Sequence, residues 1–215
     1  MTKKRFTVLP HPVQEWFVHF IDPLIDFLIR FNVHPNFFTV LGLAISIVSA
    51  YFYSQHNIRL GGFLILLGGL CDMLDGKVAR QTGKSSKFGA LLDSSLDRYA
   101  ETFMFLGVAI YFVSREFFLT SIMVFLALGG SMMVSYVRAR AEALGFDCKV
   151  GIMQRPERIV YMGIGSLIHP YVLVLVIWMI AFLANFTALQ RMFHVWKLEY
   201  RSTAEDESLD ESMGV

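Results

Sequence analysis

Long apolar segments separated by short polar links run along most of the chain, and their lengths are those of membrane-spanning helices. A helix needs roughly 20 mostly apolar residues to cross a bilayer. Residues 117–137 carry no charge, and the longer uncharged run 159–190 is divided at His169-Pro170, where a proline ends or kinks a helix. The pattern predicts six spans, at residues 36–54, 59–81, 87–113, 117–143, 156–168 and 171–193.

The N-terminal segment predicts an amphipathic helix at the membrane interface. Its apolar residues between Val13 and Leu28 recur at helical spacing. Glu15, Asp22 and Asp26 interrupt them, so the segment lacks the clean apolar core of a signal peptide. A helix lying on the inner membrane face fits this pattern, and so does a helix packed against the bundle.

Composition and charge support an all-α integral membrane protein. The chain is 55% hydrophobic and only 17% charged, whereas soluble domains are about 45–50% apolar and roughly 25% charged. Of its 19 Lys and Arg residues, only Arg59 and Arg115 lie in outer loops if both termini are inside. Because basic residues concentrate on the cytoplasmic side, we expect cytoplasmic termini. We expect three regions: an N-terminal segment 1–34, a membrane domain 35–195 and an acidic, disordered tail 196–215.

Four aspartates lie in the second and third spans, where a charge is expensive. Asp72 and Asp75 share one helical stripe, and Asp93 and Asp97 share another. Each charge at membrane depth costs about 2.5–3.5 kcal/mol on insertion scales. The short link between the two spans makes them antiparallel neighbours, so the stripes can bring four carboxylates into one pocket. Two divalent cations would neutralise them, and oxygen ligands favour Mg²⁺, Mn²⁺ or Ca²⁺ over Zn²⁺. Two such cations held close together promote displacement reactions at phosphorus.

Two other interpretations of these acids stay open. Intramembrane acids also mark ion or metal transporters, although we find no inverted repeat or broken helix pair in the sequence. The acids could instead form ion pairs at the membrane interface with Lys77, Arg80, Lys84 and Arg98. Four acids on matched stripes favour metal binding over both alternatives.

The aspartates belong to a longer pattern with fixed gaps. It reads Asp72-x₂-Asp75-Gly76-x₂-Ala79-Arg80-x₈-Gly89-x₃-Asp93-x₃-Asp97. At every fixed position it resembles the defining motif of the CDP-alcohol phosphotransferase family, and Pro35-Asn36 resembles the family's entry to the first span. The resemblance implies a six-helix homodimer in a prokaryotic inner or plasma membrane. It implies an active site on the cytoplasmic side and partners that are lipids and small alcohols, not nucleic acid.

The resemblance also implies a reaction and roles for residues. A CDP-linked lipid, usually CDP-diacylglycerol, donates its phosphatidyl group to an alcohol, and CMP leaves. Two divalent cations, Mg²⁺ or Mn²⁺, would be bound by Asp72, Asp75, Asp93 and Asp97. Asp97 would also be the base that takes the proton of the acceptor hydroxyl. The CDP-lipid would be bound by Asn36, Gly76, Ala79, Arg80 and Gly89.

Arginines at the inner ends of the last three spans indicate the class of acceptor. An arginine holds phosphate through paired hydrogen bonds. Their pattern resembles family members that use inositol 1-phosphate, which implies phosphate contacts by Ser135, Arg138, Arg155 and Arg191. Taken singly, each arginine also fits the anchoring of a helix end at the inner face. Glycerol 3-phosphate, serine and free inositol stay open as acceptors.

Overall fold

The computed structural model describes the backbone of residues 34–83 and 86–213, and the side chains of these ranges as far as Tyr200. Within them the structure contains helices and no strand. The predicted surface helix between Val13 and Leu28 lies outside the described residues. The helices are α1 (Pro35–Ser54), α2 (Ile58–Gln81), α3 (Lys87–Ser114), α4 (Phe118–Ala143), α5 (Arg155–Ile168) and α6 (Pro170–Met213).

The helices confirm an all-helical membrane protein. In the described part of the chain, three helical segments are long and apolar enough to cross a membrane: Pro35–Ser54, Phe118–Ala143 and Pro170–Tyr200. The other three helices fall short for visible reasons. Aspartates and arginines interrupt α2 and α3, and α5 has only 14 residues.

Polar residues cap the starts of the first three helices. The His34 ring accepts a hydrogen bond from Asn36 N at the start of α1, where Pro35 supplies a fixed φ. Asn57 caps α2 through Leu60 N, and the Ser86 hydroxyl oxygen accepts from Gly89 N at 2.9 Å. All the helix boundaries lie within one residue of the predicted ones, apart from the end of α6, and the caps are the local reason at the starts of α1, α2 and α3.

The two aspartate-bearing helices approach each other through α1. Helix α1 packs against both α2 and α3, α5 packs on α2, and α6 packs on α4 and α5. Small residues permit the close approach: a Cβ on Gly107 would lie 2.5 Å from Ala50 Cα. The expected direct packing of α2 on α3 is therefore replaced by packing of both on α1. This arrangement leaves space between the two aspartate stripes.

The last helix differs from its prediction. We expected a disordered tail from residue 196, but the helical backbone of α6 continues to Met213. The reason is visible in the sequence, because no glycine or proline follows Pro170 until Gly214.

Candidate active site

Three of the four predicted metal-binding aspartates form one cluster. Asp72 and Asp75 on α2 and Asp93 on α3 each offer a carboxylate oxygen, and these oxygens lie within 4.8 Å of one another. Asp75 Oδ2 and Asp93 Oδ1 are buried and accept no hydrogen bond from the described residues. A buried polar atom left without a partner is costly. The donor set therefore fits a divalent cation that prefers oxygen ligands.

The fourth aspartate is joined to this cluster by an arginine. Arg155, the first residue of α5, donates a hydrogen bond to Asp72 Oδ2 at 2.6 Å and forms an ion pair with Asp97 Oδ1 at 2.8 Å. The side chains of Arg155 and Asp97 are only 18% and 15% exposed. Arg98 adds a longer ion pair to Asp97, at 3.7 Å. One guanidinium thus holds a predicted metal ligand and the predicted base together.

A cavity of about 170 Å³ opens beside the cluster. The cavity is lined by all five residues predicted to bind the CDP-lipid and by two of the clustered aspartates, Asp75 and Asp93. Small side chains keep it open: a Cβ on Gly89 would lie 3.0 Å from Ser86 Oγ and 3.6 Å from Asn36 Oδ1. The residues around it are Pro35, Asn36, Thr39, Asp75, Gly76, Ala79, Arg80, Ser86, Gly89, Ala90 and Asp93.

The residues predicted to hold an acceptor phosphate occupy different environments. Arg155 lies at the aspartates. Arg138, near the C-terminal end of α4, is 39% exposed and donates to Glu142 Oε1 at 2.8 Å, and Ser135 is half-buried one turn earlier. Arg191 on α6 is buried, and its guanidinium donates to backbone carbonyl oxygens. The structure therefore brings Arg155 into the carboxylate site, and phosphate contact by each of the four residues stays a prediction.

Comparison with known proteins identifies the family. A family model described as CDP-alcohol phosphatidyltransferase matches residues 32–198. The chain belongs to the CDP-alcohol phosphatidyltransferase family. It is 38% identical over 182 residues to archaetidylinositol phosphate synthase of Methanothermobacter thermautotrophicus, covering 83% of this chain and 89% of that protein. The resemblance inferred from the aspartate motif is thereby confirmed.

Two solved structures of another family member share the fold. The crystal structure of Mycobacterium tuberculosis phosphatidylinositol phosphate synthase with CDP-DAG bound superposes with a TM-score of 0.74 at 29% identity, covering 81% of this chain and 92% of that one. The same enzyme in complex with manganese and citrate gives a TM-score of 0.73 at 30% identity, covering 81% and 88%. A manganese complex of a relative agrees with the divalent-cation chemistry of the aspartate cluster.

Sequence reasoning missed three polar residues of this CDP-alcohol phosphatidyltransferase site. Thr39 on α1 is buried and lines the same cavity as Asp75. Its position one turn after Asn36 was an available signal. Glu101 and Arg158 form an ion pair of 2.6 Å with side chains 2% and 0% exposed, and Glu101 lines a small cavity beside Asp97. This pair joins α3 to α5 directly behind the site.

Proposed function

We propose that this enzyme transfers the phosphatidyl group of CDP-diacylglycerol to inositol 1-phosphate, releasing CMP and forming a phosphatidylinositol phosphate. One observation carries the proposal. The five predicted CDP-lipid residues surround a single cavity whose inner wall is formed by Asp75 and Asp93. A nucleotide-linked pyrophosphate bound there would lie against the carboxylate cluster, where its phosphorus is attacked.

The lining of the cavity suits a charged nucleotide. Gly76, Ala79 and Gly89 keep the walls of α2 and α3 free of bulk, so a ligand can approach the helix backbone. Arg80 is exposed at the cavity and would pair with a phosphate oxygen of the donor. Asn36 at the start of α1 supplies an amide for hydrogen bonds to the nucleotide.

Two divalent cations, Mg²⁺ or Mn²⁺, would be held by Asp72, Asp75, Asp93 and Asp97. The two buried carboxylate oxygens without hydrogen bonds support this assignment. When bound, the cations stabilise the negative charge that builds on the pyrophosphate as CMP leaves.

Asp97 would act as the base of the reaction. Its carboxylate accepts the proton of the acceptor hydroxyl as that oxygen attacks the phosphorus of the phosphatidyl group. The new bond joins this phosphorus to the acceptor oxygen, and the bond from the same phosphorus to the CMP oxygen breaks. Arg155, 2.8 Å from Asp97 Oδ1, would hold the base in place and neutralise the nearby phosphate.

A phosphorylated inositol is favoured as acceptor because the similar synthases carry inositol phosphate in their names. Arg155, Arg138 and Ser135 would contact the acceptor phosphate from α5 and α4. Arg191 was predicted to contact it as well. Glycerol 3-phosphate, serine and free inositol remain the competing acceptors for the same chemistry.

The membrane arrangement follows the distribution of basic residues. We propose six spans, an interfacial N-terminal helix and both termini on the cytoplasmic side of a prokaryotic inner or plasma membrane. The active site would lie at the cytoplasmic interface, where a water-soluble acceptor meets a lipid donor. The glycine-containing helices would permit a homodimer. The proposed limits of the catalytic membrane domain are residues 35–195.

A comparison of acceptors tests the proposal. Purified enzyme in lipid nanodiscs is given CDP-diacylglycerol and Mn²⁺, and CMP release is measured with inositol 1-phosphate, glycerol 3-phosphate, serine or inositol. We expect inositol 1-phosphate to give the highest kcat/KM. A higher kcat/KM with another of these alcohols would replace the acceptor but keep the reaction. Absence of CMP release with all four, under both Mn²⁺ and Mg²⁺, would contradict the proposed function.

A further inference from the structure

The segment between α4 and α5, residues 144–154, lies against one stripe of α6. Thr187, Arg191 and His194 occur at positions i, i+4 and i+7 of that helix, and each contacts the segment. The segment leads directly into Arg155, the residue that holds Asp72 and Asp97. The backbone path of this segment therefore sets the position from which the Arg155 side chain extends to the two aspartates.

Two side chains of α6 bind the backbone of this segment. Thr187 is fully buried, and its hydroxyl oxygen accepts a hydrogen bond from Met153 N at 3.1 Å. Arg191 is 3% exposed; its Nε donates to Val150 O at 2.8 Å, and a second N–H donates to Val134 O on α4. The guanidinium thereby ties the segment to the helix that precedes it.

The backbone approaches α6 so closely that only a glycine fits. Gly151 has φ +136°, which L side chains rarely adopt, and a Cβ there would lie 2.5 Å from Thr187 Cγ2. The same Cβ would lie 3.4 Å from Arg191 Nε. Cys148 of the same segment is buried, which raises the pKa of its thiol, so it packs as a neutral group.

A third contact fixes the other side of the segment. Arg158 Nη1 donates to Met153 O at 3.2 Å while its Nε is paired with Glu101. The backbone N–H and C=O of Met153 are therefore both hydrogen-bonded, and Met153 lies only two residues before Arg155. A buried backbone group with fixed partners on two sides has little freedom to shift.

We infer that Thr187 and Arg191 are positioning residues, which hold residues 150–153 and so fix the Arg155 guanidinium against Asp72 and Asp97. Arg191 thereby acts on the acceptor site through the segment that leads into Arg155. The inference rests on the proposed function for its kinetic consequence, because Arg155 is the proposed contact of the acceptor phosphate.

Substitutions at Thr187 separate positioning from general stability. T187V keeps the shape of the side chain but removes the oxygen that accepts from Met153 N, whereas T187S keeps that oxygen. T120V is the matched control. Thr120 is also buried, but it lies at the start of α4, whereas residues 144–154 follow the end of that helix. We expect T187V to raise the KM for inositol 1-phosphate about tenfold, which corresponds to roughly one lost hydrogen bond. The KM for CDP-diacylglycerol should stay within about twofold, as should both constants in T187S and T120V.

A substitution of Arg191 tests whether it acts through the same segment. R191K keeps the charge but loses the planar fork that reaches two carbonyl oxygens. Residues that act through one segment give non-additive effects. We therefore expect the T187V/R191K double variant to raise the acceptor KM little more than the larger single effect. Additive effects would contradict a shared positioning role and favour direct contact of Arg191 with the phosphate.

Hydrogen exchange decides the structural part of the inference without turnover. Exchange of peptides covering residues 149–155 should be faster in T187V than in the wild type, and unchanged in T187S and T120V. If wild-type enzyme does not use inositol 1-phosphate, the proposed acceptor fails while this comparison still tests the clamp. Unchanged exchange in T187V, or equal rises of both KM values, would overturn the positioning role.

Discussion

The Arg155 guanidinium forms an ion pair with Asp97 Oδ1 at 2.8 Å and donates a hydrogen bond to Asp72 Oδ2 from its other terminal nitrogen. A predicted ligand of a cation and the proposed base thus share one positive partner. A divalent cation at Asp72 would meet the charge of this guanidinium at short range. Because Arg155 contacts Asp72, a cation that binds Asp72 should affect the position of Arg155, and Arg155 should affect the affinity for the cation.

This coupling predicts opposite effects of one substitution on two ligands. R155Q removes a positive charge next to the carboxylates, so Mn²⁺ should bind more tightly, by about tenfold if the charge contributes roughly 1.4 kcal/mol at this partly exposed site. The KM for a phosphorylated acceptor should rise because the same charge is lost from its binding site. Calorimetric titration with Mn²⁺ measures the first effect and steady-state kinetics the second.

R140Q provides the control for this prediction. Arg140 is exposed at the end of α4, and its substitution makes the same change of net charge. Mn²⁺ affinity should be unchanged in this variant. Weaker Mn²⁺ binding by R155Q, or equal changes in R155Q and R140Q, would show that Arg155 does not compete with the cation.

The width of the cavity proposed to bind the CDP-lipid depends on Gly89. A methyl group there would crowd Ser86 Oγ at 3.0 Å and project beside Asn36. Crowding of a packed site costs about 1–3 kcal/mol, so G89A should raise the KM for CDP-diacylglycerol about tenfold or more. The KM for the acceptor should change little.

G129A is the matched control for this cavity. A Cβ on Gly129 meets nothing within 4 Å, and alanine favours a helix interior by about 1 kcal/mol over glycine. We expect G129A to keep wild-type kinetics with equal or higher thermal stability. An unchanged KM for CDP-diacylglycerol in G89A would argue against binding of the donor in this cavity.

The buried ion pair of Glu101 and Arg158 should contribute to the stability of the fold. Removing one partner leaves a charge buried without compensation, which costs about 3–5 kcal/mol. E101L and R158M should therefore each lower the unfolding temperature strongly, and the E101L/R158M double variant should recover much of the loss. Thermal unfolding in detergent micelles measures this.

The exposed pair of Arg138 and Glu142 offers the comparison. Its N–O distance of 2.8 Å is similar, but its side chains are 39% and 45% exposed. Exposed pairs contribute about 0–1 kcal/mol, so E142L should hardly change the unfolding temperature. A double variant E101L/R158M that loses as much as the two single variants combined would contradict the pairing account.

The sequence predicted those parts of the site that depend on local periodicity. Asp72 and Asp75 share a stripe of α2 because helical spacing puts them there, and a short link returns Asp93 to the same level. Helix boundaries followed from the apolar runs and from Pro170. The continuation of α6 to Met213 was also readable, since no helix-breaking residue precedes Gly214.

Contacts between distant segments could not be predicted in this way. Arg155 and Asp72 are 83 positions apart, and Arg158 and Glu101 are 57 apart. These contacts depend on how α5 packs on α2 and reaches α3, and the periodicity of the sequence does not predict that arrangement. The same holds for Arg191, because an arginine pattern alone does not distinguish a phosphate contact from a bond to backbone carbonyls.

The most direct test of the account compares Mn²⁺-dependent CMP release from CDP-diacylglycerol in wild-type enzyme and D97N, with inositol 1-phosphate as acceptor. Loss of a general base lowers the rate about 10²–10⁴-fold, so the rate of CMP release by D97N should fall by at least about 10²-fold. The variant should still bind CDP-diacylglycerol and unfold near the wild-type temperature. Release of CMP by D97N at the wild-type rate would contradict the assignment of Asp97 and of the carboxylate site as the centre of the reaction.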